Sequence, residues 1–155
     1  MTTKTARKTA EGSDKDVRHR AREAAVQMLY QWEVGREPMA GVVGSFWSHG
    51  PAASPTVPDE LRVFAESLAE GVAAAVATID PLIGETAQNW RIERMNVLDR
   101  LILRLAIYEF LHQPDTPVKV VINEALELAR TFSTDESVRF INGILDAVCK
   151  TLQRE

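Results

Sequence analysis

Apolar residues recur at every third or fourth position along most of this chain, and no segment sustains the two-residue alternation of a strand. This spacing matches the α-helical turn of about 3.6 residues, in which it gathers apolar side chains on one face. The strongest stripe of this kind comprises Leu98, Leu101, Ile102, Leu105, Tyr108 and Leu111. The pattern predicts an all-α fold with its core between helices.

Capping residues and prolines predict where the helices begin and end. Asp16 is a suitable N-cap for the first helix, and Gly35 suits the left-handed residue that ends it. Pro81 is expected to start a new, shorter helix after a long one. Asn96 suits the next N-cap, and the sequence STDE at 133–136 matches a capping box before the last helix.

Two segments are less regular than the rest. Residues 36–58 hold four of the seven prolines and form a connection, in which the apolar spacing over 39–47 predicts one short helix. The part from 48 to 58 is expected to be flexible. The sequence VKVVI at 118–122 has strand propensity, but apolar residues continue at helical spacing as far as Phe132, which favours a helix.

The chain has 155 residues, enough to bury a sizeable core in one domain. Residues 1–15 are polar and offer nothing to bury, so we expect a disordered basic arm there. Residues 16–150 are expected to form a single helical domain. Within it we expect an N-terminal subdomain of about 16–79 and a C-terminal subdomain of about 80–152.

Positive charge is concentrated at the N-terminal end. Residues 1–22 carry seven basic and three acidic side chains, a net charge of +4, which leaves −8 for the rest of a chain whose total is −4. A basic segment on an acidic body is typical of a protein that binds a polyanion at one end, although solvated basic tails are also common.

Motifs for catalysis and for metal binding are absent from the sequence. It contains no GxGxxG, GxxxxGK[ST], HExxH or GxSxG, and its three histidines are far apart. We therefore expect no enzymatic activity, no cofactor and no metal. The single cysteine, Cys149, excludes an intrachain disulfide and indicates a reducing, cytoplasmic setting. No apolar run approaches the roughly 18 residues of a membrane span, so no membrane partner is expected.

Three arginines in the first turns of the first predicted helix have no role in folding that the sequence explains. Arg18, Arg20 and Arg22 oppose the helix dipole, which favours acidic side chains at this end. Guanidinium groups match phosphate oxygens in geometry and charge, so a nucleic-acid backbone would explain the arrangement.

Aromatic side chains accompany arginines at two places. Tyr30 lies on the same helix as the three arginines and offers a ring for base stacking, unless it is half-buried in the core. At the start of the last helix Arg139 precedes Phe140, a ring that is equally a candidate for the core.

Four blocks of sequence, in this order along the chain, resemble the NusB transcription antitermination family. They are RHRAREAAVQMLYQWE (18–33), DRLILRLAIYE (99–109), PVKVVINEALELA (117–129) and RFINGILD (139–146). Together they are highly specific, whereas each alone is modest. One departure is His19, which stands where many members have another arginine.

The resemblance implies about seven helices in two packed three-helix bundles and binding of the single-stranded boxA element in ribosomal RNA transcripts. It also implies NusE, a ribosomal small-subunit protein, as a partner, with other Nus factors and RNA polymerase engaged indirectly. The RNA contacts carried over by position are Arg18, His19, Arg20, Arg22, Tyr30, Arg139 and Phe140. The expected partner-facing residues are Asp99, Arg100 and Arg104.

Two alternatives to an antitermination factor belong to other classes. NusB-like domains also occur as accessory domains of ribosomal RNA methyltransferases, but this sequence has no Gly-rich strand–turn–helix for a methyl donor. A self-associating helical scaffold is the second alternative. Trp32, Phe46, Trp47 and Trp90 are able to form an apolar patch that supports a homodimer, and such a dimer would hide the arginines.

Overall fold

The computed structural model describes the backbone of residues 2–48, 57–87 and 91–154, and side chains in these ranges from residue 15 onward. Most of the predicted flexible loop, at 49–56, and Trp90 lie outside the described residues. The described part forms six α-helices and one 3-10 helix and contains no strand, which confirms the all-α prediction. The elements are α1 (Thr2–Val34), α2 (Met39–Phe46), α3 (Asp59–Thr86), a 3-10 helix (Ile92–Arg94), α4 (Val97–His112), α5 (Val118–Phe132) and α6 (Asp135–Thr151).

Several local predictions are confirmed. The short helix expected in the Pro-rich connection is α2, and the VKVVI segment is the helical start of α5. Asn96 caps α4 through its side-chain oxygen, which accepts a hydrogen bond from the Leu98 backbone N–H at 2.9 Å.

α1 begins well before the N-cap predicted at Asp16. The segment 1–15, expected to be a disordered arm, is helical from Thr2 onward. Seven of its fifteen residues are the good helix formers Ala, Lys, Arg and Glu, and no proline interrupts it, whereas its four threonines and Gly12 favour a helix less. Extending a helix that is already nucleated is easier than starting a new one, and α1 continues upstream of the predicted start.

α3 runs without interruption through Pro81, so the predicted start of a new helix at this residue is wrong. An interior proline costs about 3 kcal/mol because it removes a backbone donor and clashes with the preceding turn. Ile79 and Ile83 on either side are fully buried, and each contributes about 1.5–3 kcal/mol. Packing of the apolar face therefore outweighs the proline. The subdomain boundary at about 79/80 falls inside this helix, and the division itself stays a prediction.

Two helix ends differ from the prediction by one residue. The left-handed residue after α1 is Arg36, with a φ of 56°, and not Gly35. Gly35 is needed for a different reason, because a Cβ there would lie 2.5 Å from a carbonyl oxygen one turn earlier. The N-cap of α6 is Thr134, whose hydroxyl accepts from the Ser137 backbone N–H, and not Ser133.

One continuous core joins the six helices. α1 packs against α2, α3 and α4, whereas α6 packs chiefly against α4 and α5. α4 occupies the centre, with buried side chains all round it, including Leu101, Ile102 and Leu103. The close approach of α3 to α4 depends on Gly71, where a Cβ would lie 2.2 Å from the Tyr108 ring.

α3 is also long and apolar enough, by composition, to cross a membrane. One 18-residue window in it has a mean hydropathy of 1.3, although the longest run of α3 without a charged residue, 71–79, has nine residues. In the structure, however, Leu68 and Val72 are buried in the bundle, and Asp80 of the same helix pairs with Arg104 of α4. α3 therefore packs one face against the bundle, and 28% of that window is buried.

Candidate nucleic-acid interface

Three of the α1 residues expected to contact RNA are exposed to solvent. Arg18 and Arg20 are exposed, and Tyr30 is 44% exposed. Within the described residues, no hydrogen bond or ion pair occupies the guanidinium groups of these two arginines. Twelve residues of helix separate Arg18 from Tyr30, a distance of about 18 Å along the axis. Exposed cations and an exposed ring therefore extend over the length of several nucleotides, with Arg18 and Arg20 pointing to different sides of the helix.

The structure places Arg22, by contrast, in the core, where its side chain is only 3% exposed. Its Nε and Nη2 donate to the two oxygens of Glu109 at 3.0 and 2.8 Å. Its Nη1 lies 3.8 Å from Glu124 of α5. Arg22 thus joins α1 to α4 through a two-pronged ion pair, the geometry that guanidinium and carboxylate favour, and lies close to a second carboxylate on α5.

His19 lies between two carboxylates. Its Nδ1 is 2.7 Å from Glu124 Oε2, and its Nε2 is 2.9 Å from Glu23 Oε1. Both ring nitrogens are therefore engaged within the protein. In this structure His19 links the basic part of α1 to α5, and a phosphate would have to compete with Glu23 or Glu124 for it.

Arg18 and Arg22 share one aromatic neighbour, Phe64 of α3. The guanidinium carbons of the two arginines lie over its ring, at 5.4 and 5.7 Å from the ring centre. Both distances fall within the range of about 6 Å over which a cation is attracted to the face of an aromatic ring.

The three residues expected to face a partner are buried at the start of α4. Asp99 is 6% exposed, and its two oxygens accept hydrogen bonds from the hydroxyls of Ser133 and Ser137, both at 2.8 Å. The hydroxyl of Ser133 is thus directed towards Asp99 of α4, whereas Thr134 caps α6.

Arg100 and Arg104 hold α4 against its neighbours through ion pairs. Arg104 donates from Nε and Nη2 to Asp80 of α3 at 2.9 and 2.8 Å, and from Nη1 to Glu33 of α1 at 3.3 Å. Arg100 contacts the same Glu33 at 2.8 Å. Burial acts to lower the pKa of Arg104, but the hydrogen bonds and charges of Asp80 and Glu33 outweigh it and raise the pKa.

The two predicted residues of α6, Arg139 and Phe140, lie in different surroundings. Arg139 is exposed, whereas Phe140 is partly buried. A cavity of about 280 Å³ lies between the first turns of α4 and α6, and Phe140 lines it together with Asp99 and Glu136. The predicted aromatic–basic pair therefore lies beside the predicted partner-facing carboxylate.

Eight of the ten predicted residues fall into two groups, and the other two, His19 and Phe140, are partly buried. Three stay exposed on α1, and Arg139 stays exposed on α6, whereas Arg22, Asp99, Arg100 and Arg104 have partners inside the bundle. The partners themselves were missed in the sequence because they lie far away along the chain. The residues missed are Glu33, Phe64, Asp80, Glu109 and Glu124. The described residues hold no cluster of His, Cys, Asp or Glu suited to a metal ion.

Comparison with known proteins agrees with the pattern of residues on α1 and α4. The model of the NusB family matches residues 19–150. The chain belongs to the NusB family. The match begins at the basic turn of α1 and ends near the end of α6, so it includes all the described helices except the upstream part of α1.

Two curated NusB relatives match over nearly their whole length. The transcription antitermination protein NusB of Koribacter versatilis is 45% identical over 138 residues, which cover 89% of this chain and 92% of that protein. The NusB of Myxococcus xanthus, with the same description, is 42% identical over 137 residues, covering 88% of this chain and 97% of that protein.

Solved NusB structures share the fold. T. maritima NusB is 34% identical with a TM-score of 0.77, over 86% of this chain and 90% of that one. A structure of the antitermination factors NusB and NusE in complex with dsRNA has a TM-score of 0.78 over 88% of this chain and 98% of that one. Its NusB-like chain is 20% identical to this one, so that likeness concerns the fold.

Proposed function

We propose that this chain is a transcription antitermination factor. In this proposal it binds the boxA element of ribosomal RNA transcripts together with ribosomal protein NusE and supports transcription of ribosomal RNA by RNA polymerase. Its role is to bind and assemble, without catalysis, in the cytoplasm. Its relatives in the family carry the antitermination description, and a NusB of the same fold has been solved with NusE and RNA.

The observation that carries the proposal is the selective exposure of basic residues on α1. Arg18 and Arg20 are exposed and without ion pairs in the described part of the chain, although buried Arg22, on the same helix, has two carboxylates nearby. Cations left unneutralised on an acidic protein attract a polyanion, and their binding to phosphates releases counterions. Tyr30, exposed on the same helix, supplies a face on which an unpaired base stacks.

We place NusE at the surface around the first turns of α4 and α6. Asp99 lies just beneath this surface, and the exposed Asn96 and Glu136 flank it. Arg100 and Arg104 contribute by fixing α4 to α1 and α3, because their guanidinium groups are already engaged by Glu33 and Asp80. NusE bound here would extend the RNA surface and raise the affinity for boxA through a composite site.

Fluorescence anisotropy with a short boxA RNA, with and without NusE and over a series of salt concentrations, tests the proposal. We expect saturable binding that salt weakens, that NusE tightens and that a scrambled RNA of the same length lacks. Equal binding of the scrambled RNA would show that α1 attracts any polyanion without sequence specificity. Absence of binding even with NusE would contradict the proposal.

A further inference from the structure

Phe64 of α3 lies beneath the two guanidinium groups of Arg18 and Arg22, which are one helical turn apart on α1. The ring belongs partly to the core, against which it packs. Within the described residues, the donors of Arg22 are occupied by Glu109, whereas no acceptor is recorded for those of Arg18. The side chains of Phe64 and Arg22 are therefore held in place by the core and by Glu109. Arg18 lies over the same ring at the surface.

The contact with Phe64 leaves the hydrogen-bonding capacity of Arg18 unused. A cation–π contact engages the face of the ring, whereas the N–H donors of a guanidinium point outward in its plane. Arg18 is exposed, and no carboxylate within the described residues pairs with it. Its donors thus remain available to a ligand while its position is restricted by the ring.

We propose that Phe64 is a positioning residue that holds the Arg18 guanidinium ready for a phosphate of bound RNA. The inference rests on the proposed RNA-binding function and adds a residue from α3 to it. A long arginine side chain loses rotamer freedom when it binds, and an arginine already ordered on a ring loses less. Arg20 provides the contrast, because it is exposed on α1 without an aromatic neighbour in the described part of the chain.

A double-mutant cycle between Phe64 and Arg18 tests this role, with affinity for boxA RNA in the presence of NusE as the measurement. Phe64→Leu keeps an apolar side chain in the core and removes the aromatic face. We expect it to weaken binding by about two- to fivefold, the range of an exposed cation–π contact. In an Arg18→Ala background the same substitution should have no further effect. Phe64→Tyr should restore the affinity.

Val63→Ala on the same helix is the matched control, because Val63 is 66% exposed and has no part in the proposed site. If Phe64→Leu leaves the affinity unchanged while Arg18→Ala lowers it, Arg18 acts as a free charge and the inference is wrong. If Phe64→Leu weakens binding equally with and without Arg18, the ring acts through Arg22 or through the fold, which also overturns it. Failure of the wild-type protein to bind boxA RNA would instead overturn the proposed function.

A measurement on the unmodified chain does not depend on whether Phe64→Leu folds. Nuclear magnetic resonance relaxation at the side-chain Nε compares the mobility of Arg18 with that of Arg20. We expect Arg18 to be the more rigid of the two in the free protein and to show an upfield ring-current shift. Equal mobility of the two side chains, without the shift, would show that Phe64 does not order Arg18.

Discussion

Arg22 of α1 and Glu109 of α4 form a buried ion pair, joined by hydrogen bonds of 2.8 and 3.0 Å and separated by 87 residues along the chain. Both side chains are at most 3% exposed. Isolated buried charges are costly, and only their mutual contact makes either one tolerable. The pair therefore fixes the crossing of α1 over α4, which sets where the exposed arginines of α1 lie.

Removing one member of this pair should destabilise the protein far more than replacing both. We expect Arg22→Met or Glu109→Leu alone to lower the free energy of unfolding by about 3–5 kcal/mol, because the other charge remains buried without its main partner. The double variant should recover most of this loss. Urea denaturation of the four proteins provides the comparison. Additive losses in the double variant would show that the pairing is unimportant.

This pair also shows which features of the structure are predictable from the sequence and which are not. Helical periodicity predicted α4 and α5 because it depends on neighbours three or four positions apart, and Asn96 was predicted as a cap for the same local reason. The sequence showed Arg22 as one of three similar arginines in the first turns of a helix. Which of the three is buried depends on Glu109, and nothing local connects the two residues.

The prediction at Pro81 was wrong for a related reason. A proline at this spacing favours a helix start when only the chain around it is considered. The burial of Ile79 and Ile83 on both sides of it is a property of the packed bundle, and it continues α3 through the proline. The exposure of Arg20 and Tyr30 on α1 agrees with the sequence pattern, and their contact with RNA stays a prediction.

The contact between Gly71 and Tyr108 predicts that the effect of Gly71→Ala on stability depends on the side chain at position 108. Alanine at position 71 gains about 1 kcal/mol of helix propensity over glycine, but its Cβ would lie 2.2 Å from the ring. Such overpacking costs about 1–3 kcal/mol, so Gly71→Ala should be neutral to destabilising, by up to about 2 kcal/mol. In a Tyr108→Ala background the same change should stabilise by about 1 kcal/mol. Thermal or urea unfolding measures both, and a loss of equal size in the two backgrounds would rule out the contact as the cause.

Cys149 of α6 should react slowly and should make stability depend on alkaline pH. Burial raises the pKa of its thiol, the charge of Asp146 raises it further, and Arg154 opposes them. The folded protein therefore retains the proton more strongly than the unfolded chain does. This contribution to stability is complete below the ordinary thiol pKa and is lost as the pH rises through the raised value.

Alkylation by iodoacetamide at pH 8 should be much slower for the folded protein than in urea, because the thiolate is the reactive form. Cys149→Ala should flatten the decline of stability above about pH 8.5. The rest of the pH profile should not change. Rapid alkylation of the folded protein, at the rate seen in urea, would contradict the buried environment of this thiol.

Arg20 and Tyr30 should contribute to RNA binding in ways that a salt series separates. Arg20→Ala should weaken binding and reduce the dependence of log affinity on log salt by about 0.7, the value for one phosphate contact on a single strand. Tyr30→Ala should cost about 1–3 kcal/mol by removing a stacked base while leaving the salt slope unchanged. Lys119→Ala on α5 removes an exposed charge elsewhere and is the control for a general effect of net charge. If Arg20→Ala and Lys119→Ala reduce the slope of log affinity against log salt equally, RNA binding depends only on the total charge of the protein. The arginines of α1 would then form no defined site.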